Sequence, residues 1–361
     1  MKRIIFTGGG TAGHVVPNIA LMERLHAEGD WDIHYIGTAG MEKELVSAYP
    51  YVTYHEIEAG KLRRYMSREN LTDPFRVIRG IRQAKDHIRL IKPDVIFSKG
   101  GYVSVPVVVS AGKVPVVSHE SDYTPGLANR IASRFTDTIC VSFADTVGFV
   151  PGGKGVHTGS PIRPELYAGS RDRGLGFTGL DGKKPVLMVM GGSLGAQRMN
   201  ELVRAALPGL LERFDVVHLC GRGKLDEACS DLPGYIQYEY IKEEMPDLYA
   251  LADLMISRAG ANSVFEILAL HKPALLVPLT SASTRGDQLL NAQYFEKKGF
   301  AHWLDQNTAD GAALLAAVDR IWAERDDLIR AMEAEPGADG TEAVLERIRA
   351  AAGHGQLKEG E

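Results

Sequence analysis

The chemistry of this chain begins at His14, which closes the run Gly8-Gly9-Gly10-Thr11-Ala12-Gly13-His14 directly after the apolar stretch Ile4-Ile5-Phe6. Glycines let a backbone turn sharply and bring its N–H groups close to a ligand, and a following helix aims its positive dipole end at the same place. That combination holds phosphate. The dipole also disfavours an imidazolium, so a neutral His14 is suited to take a proton from an attacking hydroxyl near pH 7. The structural alternative is a histidine that only hydrogen-bonds at a helix start. A second run, Gly191-Gly192-Ser193-Leu194-Gly195, offers a hydroxyl and backbone N–H groups for a diphosphate. Two carboxylates stand out. Glu120, in Ser118-His119-Glu120-Ser121-Asp122, suits a second base or a substrate partner, or is a plain surface group. Glu266 could hold the two hydroxyls of a ribose, yet its spacing from Ser263 also fits a purely structural capping box.

These residues need elements to carry them. Ile4 to Phe6 reads as a strand, the glycine run as a loop, and the pattern from about Pro17 (Ile19, Leu21, Met22, Leu25) as a helix. The next strand, Ile33 to Ile36, ends in Gly37-Thr38, where a dinucleotide site would require an acidic residue. An NAD-type reading therefore lacks its ribose partner. Strands at Val95–Phe97 and Val114–Val117 end in Ser98-Lys99-Gly100-Gly101-Tyr102 and in the His119-Glu120 run, so several polar tips share one sheet edge. The opening theme returns at Pro185 to Met190, followed by the second glycine run and a helix from Ala196. Further on, Leu254 to Ile256 leads into Ser257-Arg258-Ala259-Gly260-Ala261-Asn262, and Gln288 and Asn291 share one face of a later helix. Two similar halves imply two doubly wound α/β domains.

At 361 residues and 45% hydrophobic content the chain can bury two cores. A net charge of -5 without a polybasic tail argues against a nucleic-acid partner. Cys140, Cys220 and Cys229 lack metal-ligand spacing and suit buried thiols in a reducing compartment. No secretory signal opens the chain, and Pro106, Lys113 and Pro115 interrupt its most apolar region, so membrane contact is expected to be peripheral. One segment is locally basic: Lys61 to Lys92 carries ten Lys or Arg against Glu69, Asp73 and Asp86. Phe75, Ile78, Ile81, Ile88 and Ile91 recur there at helical spacing, which predicts an inward apolar face with Arg76, Arg79, Lys85 and Arg89 on the others. It reads either as a solvated face or as a surface for anionic phospholipid or a diphosphate. No Asp-x-Asp carboxylate pair follows a strand, so a dipole-based mechanism without a metal is expected.

In order along the chain, Gly8 to His14, Gly100-Gly101-Tyr102-Val103-Ser104, His119-Glu120, Gly191 to Ala196 and Ser257-Arg258-Ala259-Gly260 through Glu266 resemble the MurG family of peptidoglycan glycosyltransferases. The resemblance runs from the first strand to about residue 330. It implies a GT-B fold of two Rossmann-like domains facing a cleft, with an acceptor and membrane-facing domain at 1–162 and a donor domain at 163–335. Residues 336–361 would form a helix and polar tail packing back on the first domain. It implies transfer of N-acetylglucosamine from UDP-GlcNAc to the 4-hydroxyl of MurNAc in lipid I, with inversion, giving lipid II at the cytoplasmic face of the cell membrane. His14, Tyr102 and Glu120 would line the acceptor side, with His14 as base, and Gly10, Gly100, Gly101 and Ser104 would meet the acceptor diphosphate. Donor contacts would be Thr11, Ala12, Gly13, Asp122, Arg163, Ser193, Ala261, Asn262, Ser263, Glu266 and Gln288. Of these, Arg163 would serve the diphosphate and Glu266 the ribose, while the backbone at Ile241-Lys242 would meet the uracil. The chain departs from the family at Ala12, where glycine is usual, at Ser121-Asp122, where the run is His-Glu-Gln-Asn, and at Ser160, in place of the asparagine of Gly-Asn-Pro. Asp122 adds negative charge, which Lys99 partly offsets.

Three rivals follow from the same residues. One is a related transferase with a different lipid or small-molecule acceptor. Another is a UDP-GlcNAc 2-epimerase, which needs no acceptor. The third is a nucleotide-sugar-binding protein without turnover.

Overall fold

The structure, a computed structural model, describes residues 1–60, 73–191, 197–280 and 286–357. The chain folds as two units, Met1–Arg163 together with Asp339–Glu361, and Pro164–Ala338.

Unit 1 alternates strand and helix: β1 (Lys2–Thr7), α1 (Ala12–Glu28), β2 (Trp31–Gly37), α2 (Met41–Val46), β3 (Val52–Glu56), α3 (Asp73–Ile91), β4 (Val95–Ser98), α4 (Ser104–Val109), β5 (Val116–Glu120), α5 (Leu127–Ala132), β6 (Thr138–Val141) and β7 (Gly155–His157). The strands form one parallel sheet in the order β3-β2-β1-β4-β5-β6-β7. The order reverses between β1 and β4, which puts the β1 and β4 tips on either side of the switch point, where ligands of open α/β sheets bind. Ile4, Ile5 and Phe6 are fully buried, as expected for a strand covered on both faces.

Helix α1 starts at Ala12, five residues before the expected start, and carries Pro17 inside it. Proline lacks the N–H for its intrahelical bond, but the glycine loop delivers the chain already turned, so His14 lies in the first helical turn. The expected inward face of α3 is only half realised: Ile88 and Ile91 are buried, whereas Phe75 is 74% and Ile78 51% exposed. Gly80 lies so close to the Glu58 carbonyl that a Cβ would stand 1.9 Å from its oxygen, and the buried residues of α3 run from there onward. Of the basic segment, residues 61–72 lie outside the described residues.

Unit 2 comprises α6 (Arg171–Thr178), β8 (Val186–Met190), α7 (Gln197–Arg213), β9 (Asp215–Leu219), β10 (Tyr235–Tyr238), α8 (Met245–Leu251), β11 (Leu254–Ser257), α9 (Ala261–Ala269), β12 (Ala274–Leu276), α10 (Asp287–Lys297), β13 (His302–Trp303) and α11 (Gly311–Glu333). Its parallel sheet runs β10-β9-β8-β11-β12-β13, with the same reversal beside the strand that precedes the glycine run.

The last helix, α12 (Thr341–Leu357), belongs to unit 1. Its Val344, Leu345, Ile348 and Ala352 are fully buried in the same core as Ile4, Phe6, Phe97 and Val117. The Ile162 N–H donates to Thr341 Oγ1 at 2.9 Å, and Gly340 N–H donates to the Ser160 carbonyl at 2.8 Å. Gly340 is close enough to Gly159 that a Cβ would meet its backbone carbon at 2.4 Å. All three thiols are free. Among the described residues no helix is long and apolar enough to cross a membrane.

Candidate active site

In unit 1 the carboxyl tips of β1 and β4 bring the glycine loops together. Lys99 N–H donates to the Thr7 carbonyl at 2.9 Å, so both tips end at one level. A Cβ on Gly101 would meet the Gly9 carbonyl oxygen at 2.4 Å and His14 Nδ1 at 3.2 Å. One on Gly10 would meet Tyr102 Cε1 at 2.5 Å. Gly10 and Gly101 both hold φ near +80°, a left-handed conformation that glycine adopts without penalty. His14, Gly9, Gly10, Gly101 and Tyr102 are thus one constellation, with Tyr102 lying over Gly10 and His14 against Gly101.

Thr11 takes an extended conformation at the α1 N-cap position and makes no side-chain cap bond. Instead its Oγ1 lies 2.9 Å from His14 Nδ1, which orients the ring. With the proton on Nδ1 and the Thr11 oxygen accepting, Nε2 carries the lone pair that a base requires. Thr11 and Gly13 are exposed and Ala12 is half-buried.

A carboxylate that sequence reasoning passed over lies beneath this loop. Glu42, 1% exposed near the start of α2, accepts from Gly10 N–H at 3.3 Å and Thr38 N–H at 3.0 Å, and also from the Thr38 hydroxyl. The Gly10 N–H, expected to meet the acceptor diphosphate, therefore points at Glu42. The available signal was Gly40 ahead of Met41-Glu42, a helix start beside a strand tip. Of the other expected diphosphate contacts, Gly100 N–H lies 3.3 Å from Ser98 Oγ, and Ser104 Oγ donates to the Gly101 carbonyl at 2.9 Å. Ser104 shapes the loop.

Glu120 is 5% exposed at the end of β5. One oxygen accepts from Asp122 N–H at 3.0 Å, the other from Gly126 N–H at 2.9 Å and Asn129 Nδ2 at 2.8 Å. These bonds fold the 120–126 loop around the carboxylate, so Glu120 organises the loop that carries Asp122. Asn129, also missed, donates to the His119 carbonyl at 3.3 Å and lies against Gly100, whose added Cβ would stand 2.8 Å from Asn129 Oδ1. Arg163 closes unit 1, half-buried, just past the Ile162–Thr341 anchor.

In unit 2, Ser193 lies outside the described residues. Helix α9 begins after Gly260 and not at Ser263, so the capping-box alternative is not realised: Ala261, Asn262 and Ser263 form the first turn, with Glu266 one turn further on. Glu266 is buried and accepts from the Tyr249 hydroxyl at 3.0 Å. Gln288 Oε1 accepts from Leu279 N–H at 2.9 Å, and Asn291 Nδ2 donates to the Ala259 carbonyl at 3.0 Å. Their shared face thus holds the tips that follow β12 and β11. Arg258, buried beside Ala259, donates to the Val277 carbonyl at 2.8 Å, and burial pushes its guanidinium down to about 10. Ile241 is buried and Lys242 exposed on the connection from β10 to α8.

Two parallel Rossmann-like sheets, each with its strand order reversing beside the strand that precedes a glycine run in the sequence, define a GT-B-like glycosyltransferase fold. Residues 4–141 match the glycosyltransferase family 28 N-terminal domain and residues 186–347 its C-terminal domain. The chain belongs to glycosyltransferase family 28. It is 49% identical over 352 residues, 97% of this chain and 99% of the relative, to a Lachnospira eligens protein named UDP-N-acetylglucosamine--N-acetylmuramyl-(pentapeptide) pyrophosphoryl-undecaprenol N-acetylglucosamine transferase. Acinetobacter baumannii MurG is similar in structure, with a TM-score of 0.74 and 25% identity over 97% of this chain and 100% of that one. A UDP-N-acetylglucosamine 2-epimerase shares the fold, with a TM-score of 0.67 at 14% identity, covering 96% of this chain and 93% of that one.

Proposed function

We propose that this chain transfers N-acetylglucosamine from UDP-GlcNAc to the 4-hydroxyl of MurNAc in lipid I, forming lipid II. The observation that carries the reading is the constellation of His14, Gly101 and Tyr102 at the sheet's switch point, in a chain so similar over its whole length to transferases of that name.

His14 Nε2 takes the proton of the acceptor hydroxyl as its oxygen attacks the anomeric carbon. The bond to UDP breaks, its electron pair leaves with the diphosphate, and the configuration inverts. When the Thr11 hydroxyl oxygen accepts from Nδ1–H, the lone pair is on Nε2, the tautomer this step uses. On the donor side, Glu266, held by Tyr249, receives the ribose hydroxyls. The start of α9 at Ala261–Ser263, with Ser193, Gln288 and Arg163, receives the sugar diphosphate, and the backbone at Ile241-Lys242 receives the uracil. Thr11 to Gly13 and Asp122 complete the donor contacts from unit 1. Exposed Phe75 and Ile78 amid Arg76, Arg79 and Arg82 support peripheral binding at the cytoplasmic membrane face.

The test is transfer of labelled GlcNAc to a short-chain lipid I analogue with EDTA present, comparing the natural protein with His14→Ala. Product from the first and a loss of roughly 10²-fold or more in the second is expected. Transfer only to a diacylglycerol acceptor, or release of free sugar without acceptor, would replace this reading with a rival one. For the membrane part, binding to anionic vesicles should fall on Phe75→Ser and on charge reversal at Arg76. Unchanged binding and lipid-substrate kinetics would remove it.

A further inference from the structure

Lys99 follows β4 directly, and its side chain is 1% exposed, running to the β5 tip. Gly8 packs on it: a Cβ there would stand 3.2 Å from Lys99 Cβ. Its Nζ lies 3.0 Å from His119 Nδ1 and is hydrogen-bonded to Ser121 Oγ. An ammonium donates and cannot accept, so it fixes the His119 tautomer, and Nε2–H then donates to the Gly159 carbonyl at 3.0 Å. Burial and the Lys99 charge hold His119 neutral, well below its usual range. Through His119 the ammonium joins the β4 and β5 tips to the segment that meets α12.

A buried cation is destabilising unless negative charge compensates it. Among the described residues no carboxylate forms an ion pair with Lys99. Glu120 and Asp122 act on it at longer range, and the Glu120 oxygens are occupied by Asp122, Gly126 and Asn129. Immediately after Lys99 come Gly100 and Gly101, which approach the β1 loop. An anion seated on these loops would supply the missing partner.

We propose that Lys99 is a positioning residue that holds a buried positive charge between the β4 and β5 tips, next to the Gly100–Tyr102 loop, and thereby sets the affinity for the diphosphate of the lipid-linked acceptor. The inference rests on the acceptor reading above. It makes affinity depend on pH. Burial pulls the Lys99 ammonium down to about 8, against the opposing pull of Glu120 and Asp122. The groups facing it are His119 and Glu120 on β5, Asp122 beyond it, and Cys140 on β6. His119 stays neutral, and burial holds the Cys140 thiol up at about 12, so neither changes charge between pH 7 and 9. A sugar–lipid diphosphate is a diester with no proton to lose in that window. Lys99 therefore loses its charge there.

The experiment measures acceptor KM, donor KM and kcat at pH 7 and 9 for the natural protein, Lys99→Met and Lys99→Arg. Lys99→Met should raise acceptor KM roughly tenfold at pH 7, with donor KM and kcat within about twofold, and should abolish the rise in acceptor KM that the natural protein shows toward pH 9. Lys99→Arg should keep the low KM at both pH values. An acceptor KM within twofold of the natural one in folded Lys99→Met overturns the proposal. If neither variant folds, a flat acceptor KM from pH 7 to 9 in the natural protein overturns it instead. Binding of geranyl diphosphate with UDP saturating keeps the test separate from the transferase reading. Weaker binding in Lys99→Met supports the cation even if lipid I proves not to be the acceptor, and equal binding refutes it.

Discussion

Glu42→Gln and Glu42→Ala probe how the first glycine loop is held. The carboxylate accepts three hydrogen bonds in a site that is 1% exposed, and the loop rests directly on it, since a Cβ on Gly9 would stand 2.6 Å from Glu42 Cδ. A hydrogen bond to a charged group contributes roughly 1.5–3 kcal/mol net. The 3.3 Å bond from Gly10 is long and counts least, so the two from Thr38 dominate. Glutamine keeps one acceptor for Thr38 and turns its NH₂ toward the Gly10 N–H, for an expected loss of about 2 kcal/mol. Alanine also leaves buried N–H groups unpaired and opens a cavity, so about 3–5 kcal/mol is expected. Trp31 is the single tryptophan of unit 1, so replacing Trp303 and Trp322 by Phe makes urea unfolding of that unit readable by fluorescence. In the same variants kcat/KM for the lipid acceptor should fall roughly tenfold, because the loop that places His14 loses its floor. A midpoint shift in Glu42→Ala worth less than about 0.5 kcal/mol, with unchanged acceptor kinetics, would refute the reasoning.

Gly10→Ala places a Cβ 2.5 Å from the Tyr102 ring at φ +83°, so it should lose at least about 1–2 kcal/mol of stability; the double variant with Tyr102→Ala should recover the clash but not the backbone strain, as melting temperatures will show. Glu266→Ala should raise the KM for UDP-GlcNAc tenfold or more in steady-state assays, whereas Tyr249→Phe, which removes only the hydroxyl at 3.0 Å, should raise it severalfold. His218 is buried between Tyr235 and Asn200, and burial holds its imidazole down at about 3. The unfolded chain therefore binds the proton first, near pH 6.5, so stability is present above that pH and declines on acidification by up to about 1.4 kcal/mol per pH unit. Denaturant midpoints from pH 7 to 4 should show this contribution, and His218→Gln should reduce the slope by that amount, leaving the share of the other depressed histidines, His55 and His119.

Much of the site was legible in the sequence because it sits at strand tips. Glycine runs after apolar strands at residues 8–13 and 100–101 mark the loops, and their positive φ values and close approaches are the reason glycine stands there. His14 was singled out by its place beside such a loop. Glu120 is legible as a carboxylate at a strand tip, but its surroundings are not, since its partners Gly126 and Asn129 come from the loop and helix that follow it. The capping-box alternative for Ser263 and Glu266 is not realised, because helix α9 starts at Ala261 with Gly260 at its N-cap position. Likewise the apolar periodicity of α3 is real, but its first turns carry Phe75 and Ile78 to the surface.

By itself, then, the sequence determined the alternation of strand and helix, the two halves and the residue types at their tips, because periodicity and glycine placement are properties of neighbouring positions. Only the tertiary structure decided which tips meet and which buried groups support them. Glu42 lies 32 residues from the Gly10 N–H it accepts, and Thr341 is 179 residues from the Ile162 backbone it anchors. Lys99 reads as one more loop cation until the β1 and β5 tips enclose it. Burial, and with it the energetics of charge, is set by packing between segments distant in sequence.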